Sequence, residues 1–66
     1  MKKIFKKYYR YILDGVIPSK EEEIVFSILH DFTDRKGLRQ EWEKIDEDTQ
    51  EEIIEDWIKL TKNLLK

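Results

Sequence analysis

The chain contains no cysteine, one histidine, one proline and two glycines among its 66 residues. Without cysteine, neither a disulfide bond nor a thiolate metal site can stabilise the fold, and the composition suits a reducing compartment. No apolar run approaches the ~18 residues that a membrane span needs. The first residues imitate the start of a signal peptide, but Lys6, Lys7 and Arg10 interrupt the apolar segment that such a peptide requires. The sequence therefore predicts a soluble, cytoplasmic protein with no membrane partner.

The length and composition are typical of one small helical domain spanning residues 1–66. Charged residues make up 42% of the chain and hydrophobic residues 39%, with three Phe, three Tyr and two Trp. Such a chain is too apolar and aromatic to be disordered. A domain of this size buries only about 60% of the surface that its unfolded chain exposes, so its core is marginal. The net charge of −2 excludes a uniformly basic nucleic-acid binder and a uniformly acidic protein.

Glycine, serine and aspartate divide the chain into four predicted helices. The first runs from about residue 2 to residue 13, and Gly15 is its expected C-terminal cap. Ser19 and Glu22 have the spacing of a capping box for the second helix, and either Asp46 or Asp48 caps the fourth. No segment alternates apolar and polar residues with period two, so no strand is expected. We therefore predict an all-α fold, a small bundle of three longer helices plus one short helix.

Apolar residues at three- and four-residue spacing define the expected core. On the second helix, Phe26 lies off the apolar stripe and is expected to be exposed. The apolar arc of the fourth helix spans about 160° at 100° per residue, which is wide enough to contact two neighbours. A second copy of the chain could cover such surfaces, so a homodimer is one expected state. The predicted core consists of Phe5, Tyr8, Ile12, Ile24, Ile28, Leu29, Phe32, Leu38, Trp42, Ile45, Ile53, Trp57, Ile58 and Leu64.

Charge is distributed unevenly, with a basic N-terminal helix and an acidic fourth helix. Each like-charged pair four residues apart destabilises an isolated helix by roughly 0.2–0.5 kcal/mol. The opposite charges, a second copy of the chain or an external partner must offset this repulsion. The basic positions are Lys2, Lys3, Lys6, Lys7 and Arg10, and the acidic positions are Glu41, Glu43, Asp46, Glu47, Asp48, Glu51, Glu52, Glu55 and Asp56.

Each charged segment has a structural and a functional interpretation. The basic helix is either a solvated face above an aromatic core stripe, or a surface for nucleic-acid phosphates or an anionic membrane. The acidic helix is a solvated face, an imitation of nucleic-acid charge, or a surface that pairs with the basic helix of a second copy. Glu52, Glu55 and Asp56 lie opposite the apolar stripe of their helix, which favours exposure and an external partner for these three carboxylates.

Candidates for chemistry are few. His30, Asp31 and Asp34 are close enough in sequence to share a divalent ion, but no second nitrogen ligand and no His-Glu-x-x-His spacing accompany them. The helix dipole favours a histidine near a helix C-terminus, which is the simpler interpretation of His30. The sequence also has no glycine-rich phosphate loop and too little chain to enclose a substrate. We therefore expect no enzyme activity, catalytic residue, metal site or cofactor.

Residues 34–46 carry a distinctive order of residues, D-R-x-G-L-x-x-E-W-x-x-I-D. With its continuation through Trp57, this stretch resembles short, largely uncharacterised proteins encoded by bacteriophages and prophages, which carry a similar signature. The resemblance covers roughly residues 34–58 and does not extend to the lysine-rich N-terminal half. It implies a mobile-element origin and a small helical protein acting in the host cytoplasm, and it supplies no catalytic residue.

The signature also has a structural interpretation. Gly37 permits a tight loop before the third helix. Arg35 is expected to pair with Glu41 or Asp46 and so to fasten that loop onto the short helix. If Arg35→Ala left thermal stability unchanged, Arg35 would instead be a candidate binding residue.

Two functions are compatible with the sequence. The first is a small phage-type protein without chemistry of its own, which binds a host or phage protein through a charged or aromatic helix face. The second is a nucleic-acid-directed protein. It would bind DNA or RNA through the basic first helix, or inhibit a nucleic-acid-binding host defence factor by acidic mimicry. The candidate partner-binding residues are Glu51, Glu52, Glu55, Asp56, Lys3, Lys7, Arg10 and Phe26.

Overall fold

The computed structural model describes residues 2–65 of the chain, which form four helices. Helices α1 (Lys3–Asp14), α2 (Lys20–Thr33) and α4 (Glu47–Leu64) are long, whereas α3 (Leu38–Glu43) is short. Within the described residues no strand occurs. The predicted all-α bundle of three longer helices and one short helix is confirmed.

Local hydrogen bonds explain where these helices begin and end. Gly15 adopts φ +70°, the left-handed conformation that terminates α1. The Ser19 hydroxyl accepts from the Glu22 N–H, and the Glu22 carboxylate accepts from the Ser19 N–H at 3.2 Å. This pair completes the predicted capping box. Of the two candidates for α4, Asp46 is the cap, because its carboxylate accepts from the Thr49 N–H at 3.0 Å.

Helix α2 contacts each of the other three helices, most extensively α4, and α1 also packs against α4. All four helices contribute to one apolar cluster. Its buried members are Ile4, Phe5, Tyr8, Val25, Phe26, Leu29, Trp42 and Ile54, and the half-buried side chains around them are Tyr11, Ile12, Phe32, Ile45, Ile53, Trp57 and Ile58. Most of the predicted core is therefore in place, while Ile24 is half-buried outside this cluster.

The prediction that Phe26 is exposed is wrong, because its side chain has 0% of its surface exposed. Its ring meets that of Tyr8 edge-on, with 5.5 Å between centroids, and lies 6.1 Å from that of Tyr11. Both tyrosines belong to α1, so the aromatic face of α1 packs on the Phe26 side of α2. A side chain enclosed in this way is not available to a partner.

Three residues of the predicted core are exposed instead. Ile28 is 60% exposed, Leu38 is 41% exposed and Leu64 is 85% exposed. Ile28 lies at the edge of the buried face of α2, which is displaced towards Phe26 and Leu29 by the contact with α1. Leu38 and Leu64 are the first residue of α3 and the last residue of α4, where fewer neighbouring helices are within reach.

The loop before α3 is not fastened as expected. Arg35 pairs with Asp31, one helical turn earlier, with 3.0 Å between Nε and Oδ2, so the prediction of a pair with Glu41 or Asp46 is wrong. Both groups of this ion pair are exposed, and such pairs contribute little to stability. The turn into α3 depends on Gly37, whose φ of +94° is a conformation that glycine adopts readily.

Candidate interaction surfaces

The outward face of α4 carries three exposed carboxylates. Glu52, Glu55 and Asp56 are all exposed and lie on the side of α4 that faces away from the buried Ile54. No ion pair involves any of the three within residues 2–65. Glu52 and Asp56 are four residues apart and therefore neighbours on the helix surface. Neither carboxylate forms an ion pair within the described part of the chain, and the nearest cation along the helix is Lys59, three residues after Asp56.

Among residues 2–65, the ion pairs between the acidic helix and the basic N-terminal segment lie at the first turns of α4. The Lys2 ammonium lies 2.7 Å from an Asp48 carboxylate oxygen and 3.7 Å from a Glu51 oxygen. The Lys2 backbone N–H also donates to Glu47 at 3.3 Å. The hydrogen bond to Asp48 and the charges of Asp48 and Glu51 raise the pKa of Lys2. Of the predicted partner-binding carboxylates, Glu51 is therefore already paired within the fold and half-buried.

The basic face of α1 is also divided between paired and free cations. Lys7 donates to the Glu22 carboxylate at 3.1 Å. Partial burial raises the pKa of Glu22, but the hydrogen bonds from Ser19 and Lys7 outweigh it and leave the pKa lowered. Glu22 therefore stabilises the fold above its ordinary pKa, and that contribution is lost as the pH falls through the lowered value. Lys3 and Arg10 remain exposed, with no ion pair among the described residues.

The unopposed charges on α4 give a testable expectation. Replacing Glu52 and Asp56 with glutamine should raise the free energy of unfolding at low salt, because the change removes a repulsive pair worth roughly 0.2–0.5 kcal/mol. Glutamine also has the higher helix propensity at position 56. The contribution of charge is the part of the gain in unfolding free energy that disappears when the salt concentration is raised from ~0.01 M to ~1 M. Over this range the Debye length falls from about 30 to about 3 Å, so the surface charges are screened.

Urea melts of both proteins at the two salt concentrations measure this contribution. The matched control is Asp48→Asn, which removes the nearer of the two carboxylates paired with Lys2 and should instead lower stability at low salt. A loss of stability at low salt in the Glu52→Gln/Asp56→Gln protein would show that this acidic face is already paired.

An apolar groove runs between α2 and α4. It has a volume of about 280 Å³ and is lined by Val25, Ile28, Trp57, Leu60 and Thr61. Leu60 is as exposed as Ile28, at 60%. The sequence did not mark these residues as a binding site. The sequence feature that pointed towards this groove was the wide apolar arc of α4. The outer edge of that arc, which includes Leu60, is exposed.

A second, larger cleft of about 720 Å³ lies between α1, the second half of α2, α3 and the start of α4. Buried Tyr8 and Trp42 contribute to its walls, and exposed His30, Arg39 and Glu43 lie along it. Its rim carries both signs of charge and does not select one class of ligand. No group of three or more His, Asp or Glu side chains is placed to hold a metal ion in the described structure, where Asp31 is paired with Arg35.

The structure thus separates the predicted partner-binding residues into three groups. Those that remain exposed and unpaired among residues 2–65 are Glu52, Glu55, Asp56, Lys3 and Arg10. Those already engaged in ion pairs are Glu51 and Lys7. Phe26 alone is enclosed in the core.

None of the described helices has both the length and the apolar composition that crossing a membrane requires. No known protein family, curated protein or solved structure matches the chain.

Proposed function

We propose that this chain is a small phage-type protein with no chemistry of its own, which binds a host or phage protein in the bacterial cytoplasm. The binding surface is the α2–α4 groove together with the acidic edge of α4. The observation that supports it most is the coincidence of two unsatisfied features on one side of the molecule. Exposed aliphatic side chains line the groove, and carboxylates without partners in residues 2–65 lie beside it.

Each feature alone is common on protein surfaces. Single exposed aliphatic residues are normal, and acidic helix faces are often only solvated. Here Ile28 and Leu60 come from different helices and open onto one groove, and Leu64 extends the apolar surface by one further turn of α4. A contiguous apolar surface with a polar rim is the pattern of a protein-binding site. The resemblance of residues 34–58 to phage-encoded proteins supports the proposed origin.

A second candidate function is nucleic-acid-directed, and the exposed cations on α1 favour it. Lys3, Lys6 and Arg10 are exposed on one side of the helix and make no ion pair in the described structure. Direct binding of DNA or RNA through them would weaken steeply with salt. Mimicry through Glu52, Glu55 and Asp56 would give no nucleic-acid binding, but it would compete nucleic acid off a host protein.

A pull-down from bacterial lysate with three immobilised proteins tests the proposal. The wild type should retain a protein that mass spectrometry identifies, and the Ile28→Gln/Leu60→Gln variant should lose it. The Lys3→Gln/Lys6→Gln variant, altered only on α1, should retain it. All four replaced side chains are exposed, so folding should be preserved, and circular dichroism checks this.

Two results would count against the groove as the binding surface. One is equal capture by the wild type and the Ile28→Gln/Leu60→Gln variant. The other is a nuclease-sensitive capture that only the Lys3→Gln/Lys6→Gln variant loses, which would favour the nucleic-acid-directed function.

A further inference from the structure

The α2–α4 groove has the form of a site for a helix. One ridge of side chains comes from α2 and one from α4, and the trough between them includes Val25 and Trp57. Ile28 rises on one side and Leu60 on the other, and Leu64 continues the second ridge by one turn, or about 5.4 Å. Grooves of this kind accept the apolar face of an amphipathic helix, which inserts side chains spaced three, four and seven residues apart.

Charge beside the groove indicates which helix would fit. Asp56 precedes Leu60 by one turn and lies next to it on the α4 surface, and Glu52 precedes Asp56 by one further turn. Lys59 lies on the other side of Asp56 from Leu60, about 60° away around the helix at 3.6 residues per turn. Glu52 lies at nearly the same angle around the helix as Lys59, so the charge nearest the groove on α4 is the Asp56 carboxylate, which forms no ion pair within residues 2–65.

The α2 edge is close to neutral. Lys20 and Glu21 occupy its first turn side by side, and Asp31 is neutralised by Arg35 towards its end. The groove therefore combines an apolar trough with a negative charge, that of Asp56, beside its α4 edge. We therefore expect a partner helix to bind this groove most tightly when cations flank its apolar stripe on the side that meets α4.

We propose that the groove binds an amphipathic helix of a partner protein, with leucine- or isoleucine-type anchors and with lysine or arginine along the flank facing Glu52 and Asp56. This inference rests on the proposed function and adds the chemical class of the partner segment. A second copy of the chain fits less well. A two-fold contact through this groove would place the Asp56 edges of both copies in one interface.

Two synthetic helices distinguish the predicted occupant from a merely apolar one. Each has about 18 residues, long enough to form helix on binding, with leucines at the anchor spacing. One carries lysines at the remaining positions and the other carries glutamates. Fluorescence anisotropy of the labelled peptides should show binding of the lysine peptide to the wild-type protein, and binding of the glutamate peptide at least about tenfold weaker.

Matched variants locate the binding. Ile28→Gln/Leu60→Gln should weaken the binding of the lysine peptide at least about tenfold, because it removes the apolar side chains on both sides of the trough. Glu52→Gln/Asp56→Gln should weaken it by about three- to tenfold at low salt and much less at high salt. Asp34→Asn/Glu43→Gln makes the same change in net charge away from the groove and should leave the affinity unchanged.

Several results would overturn the inference: equal binding of the two peptides, equal losses from the Glu52/Asp56 and Asp34/Glu43 variants, or no loss from the Ile28/Leu60 variant. A dimer in light scattering that Ile28→Gln/Leu60→Gln converts to a monomer would assign the groove to a second copy. If the lysate partner depends on the groove but the lysine peptide does not bind, the proposed function stands and this inference fails. If the lysine peptide binds as expected but no lysate protein depends on the groove, the proposed function fails instead.

Discussion

Replacing Phe26 with alanine is expected to lower the free energy of unfolding by about 3–5 kcal/mol, as for other buried phenylalanines. The ring is fully buried between α1 and α2 and contacts two tyrosine rings. At roughly 0.05–0.15 kcal/mol per residue, a chain of 66 residues has about 3–10 kcal/mol of stability in total. The substitution therefore removes a large share of it, and a substantial unfolded population is expected without denaturant.

The informative comparison is Ile28→Ala, two residues later on the same helix. Because Ile28 is mostly exposed, its truncation should cost well under the 2–5 kcal/mol typical of a buried isoleucine. Urea unfolding followed by far-ultraviolet circular dichroism measures both variants. Equal destabilisation by the two substitutions, or a larger effect at Ile28, would mean that α2 packs through the face that contains Ile28, as its apolar stripe suggests. It would contradict packing through the face that contains Phe26.

The helices themselves were predictable from the sequence because their signals are local. Gly15 ends α1 with a backbone conformation that glycine adopts readily, and Ser19 and Glu22 satisfy each other's hydrogen bonds within one turn. Asp46 caps α4 by accepting from the Thr49 N–H, also within one turn. None of these interactions requires knowledge of which helix lies next to which.

The buried face of α2 was not predictable in this way, because it depends on a distant segment. The apolar residues of α2 extend to both sides of Leu29, with Ile24 and Ile28 on one side and Phe26 on the other. Only the position of α1, whose tyrosines pack on Phe26, decides between them. The same non-local choice leaves Ile28 free to line the groove with Leu60, so the candidate site follows from the very contact that the sequence did not reveal.

The sequence predicted which segments are basic and which are acidic, but not which charged residues form ion pairs. The sequence left open whether the basic and acidic helices face one another. In the structure the answer differs between the first turns of α4 and the turns that follow. At its first turns Asp48 and Glu51 meet Lys2, whereas further along Glu52 and Asp56 meet no cation within residues 2–65. A crossing of two helices brings only one part of each charged face within reach, and its position is a property of packing.

Replacing Trp42 with alanine is expected to cost about 3–5 kcal/mol and to detach α3 from the bundle. The indole is buried, lies edge-on to Phe32 with 6.2 Å between ring centroids, and stacks on Trp57 at 6.1 Å. Aromatic pairs in these geometries add stability beyond the burial of area. Its backbone carbonyl also accepts from the Gln50 side chain at 2.8 Å, so Trp42 joins α3 to both α2 and α4.

Helix α3 depends on this residue because six residues are far too few for a helix that is stable alone. Amide hydrogen exchange should therefore show loss of protection throughout α3 in Trp42→Ala, together with the loss of global stability in urea. Trp42→Phe keeps an aromatic ring and should retain much of both. Leu38→Ala is the matched control within α3, since that side chain is substantially exposed and its truncation should leave the protection of α3 nearly unchanged. If Leu38→Ala released α3 while Trp42→Ala did not, the helix would be held by its leucine and not by the aromatic stack.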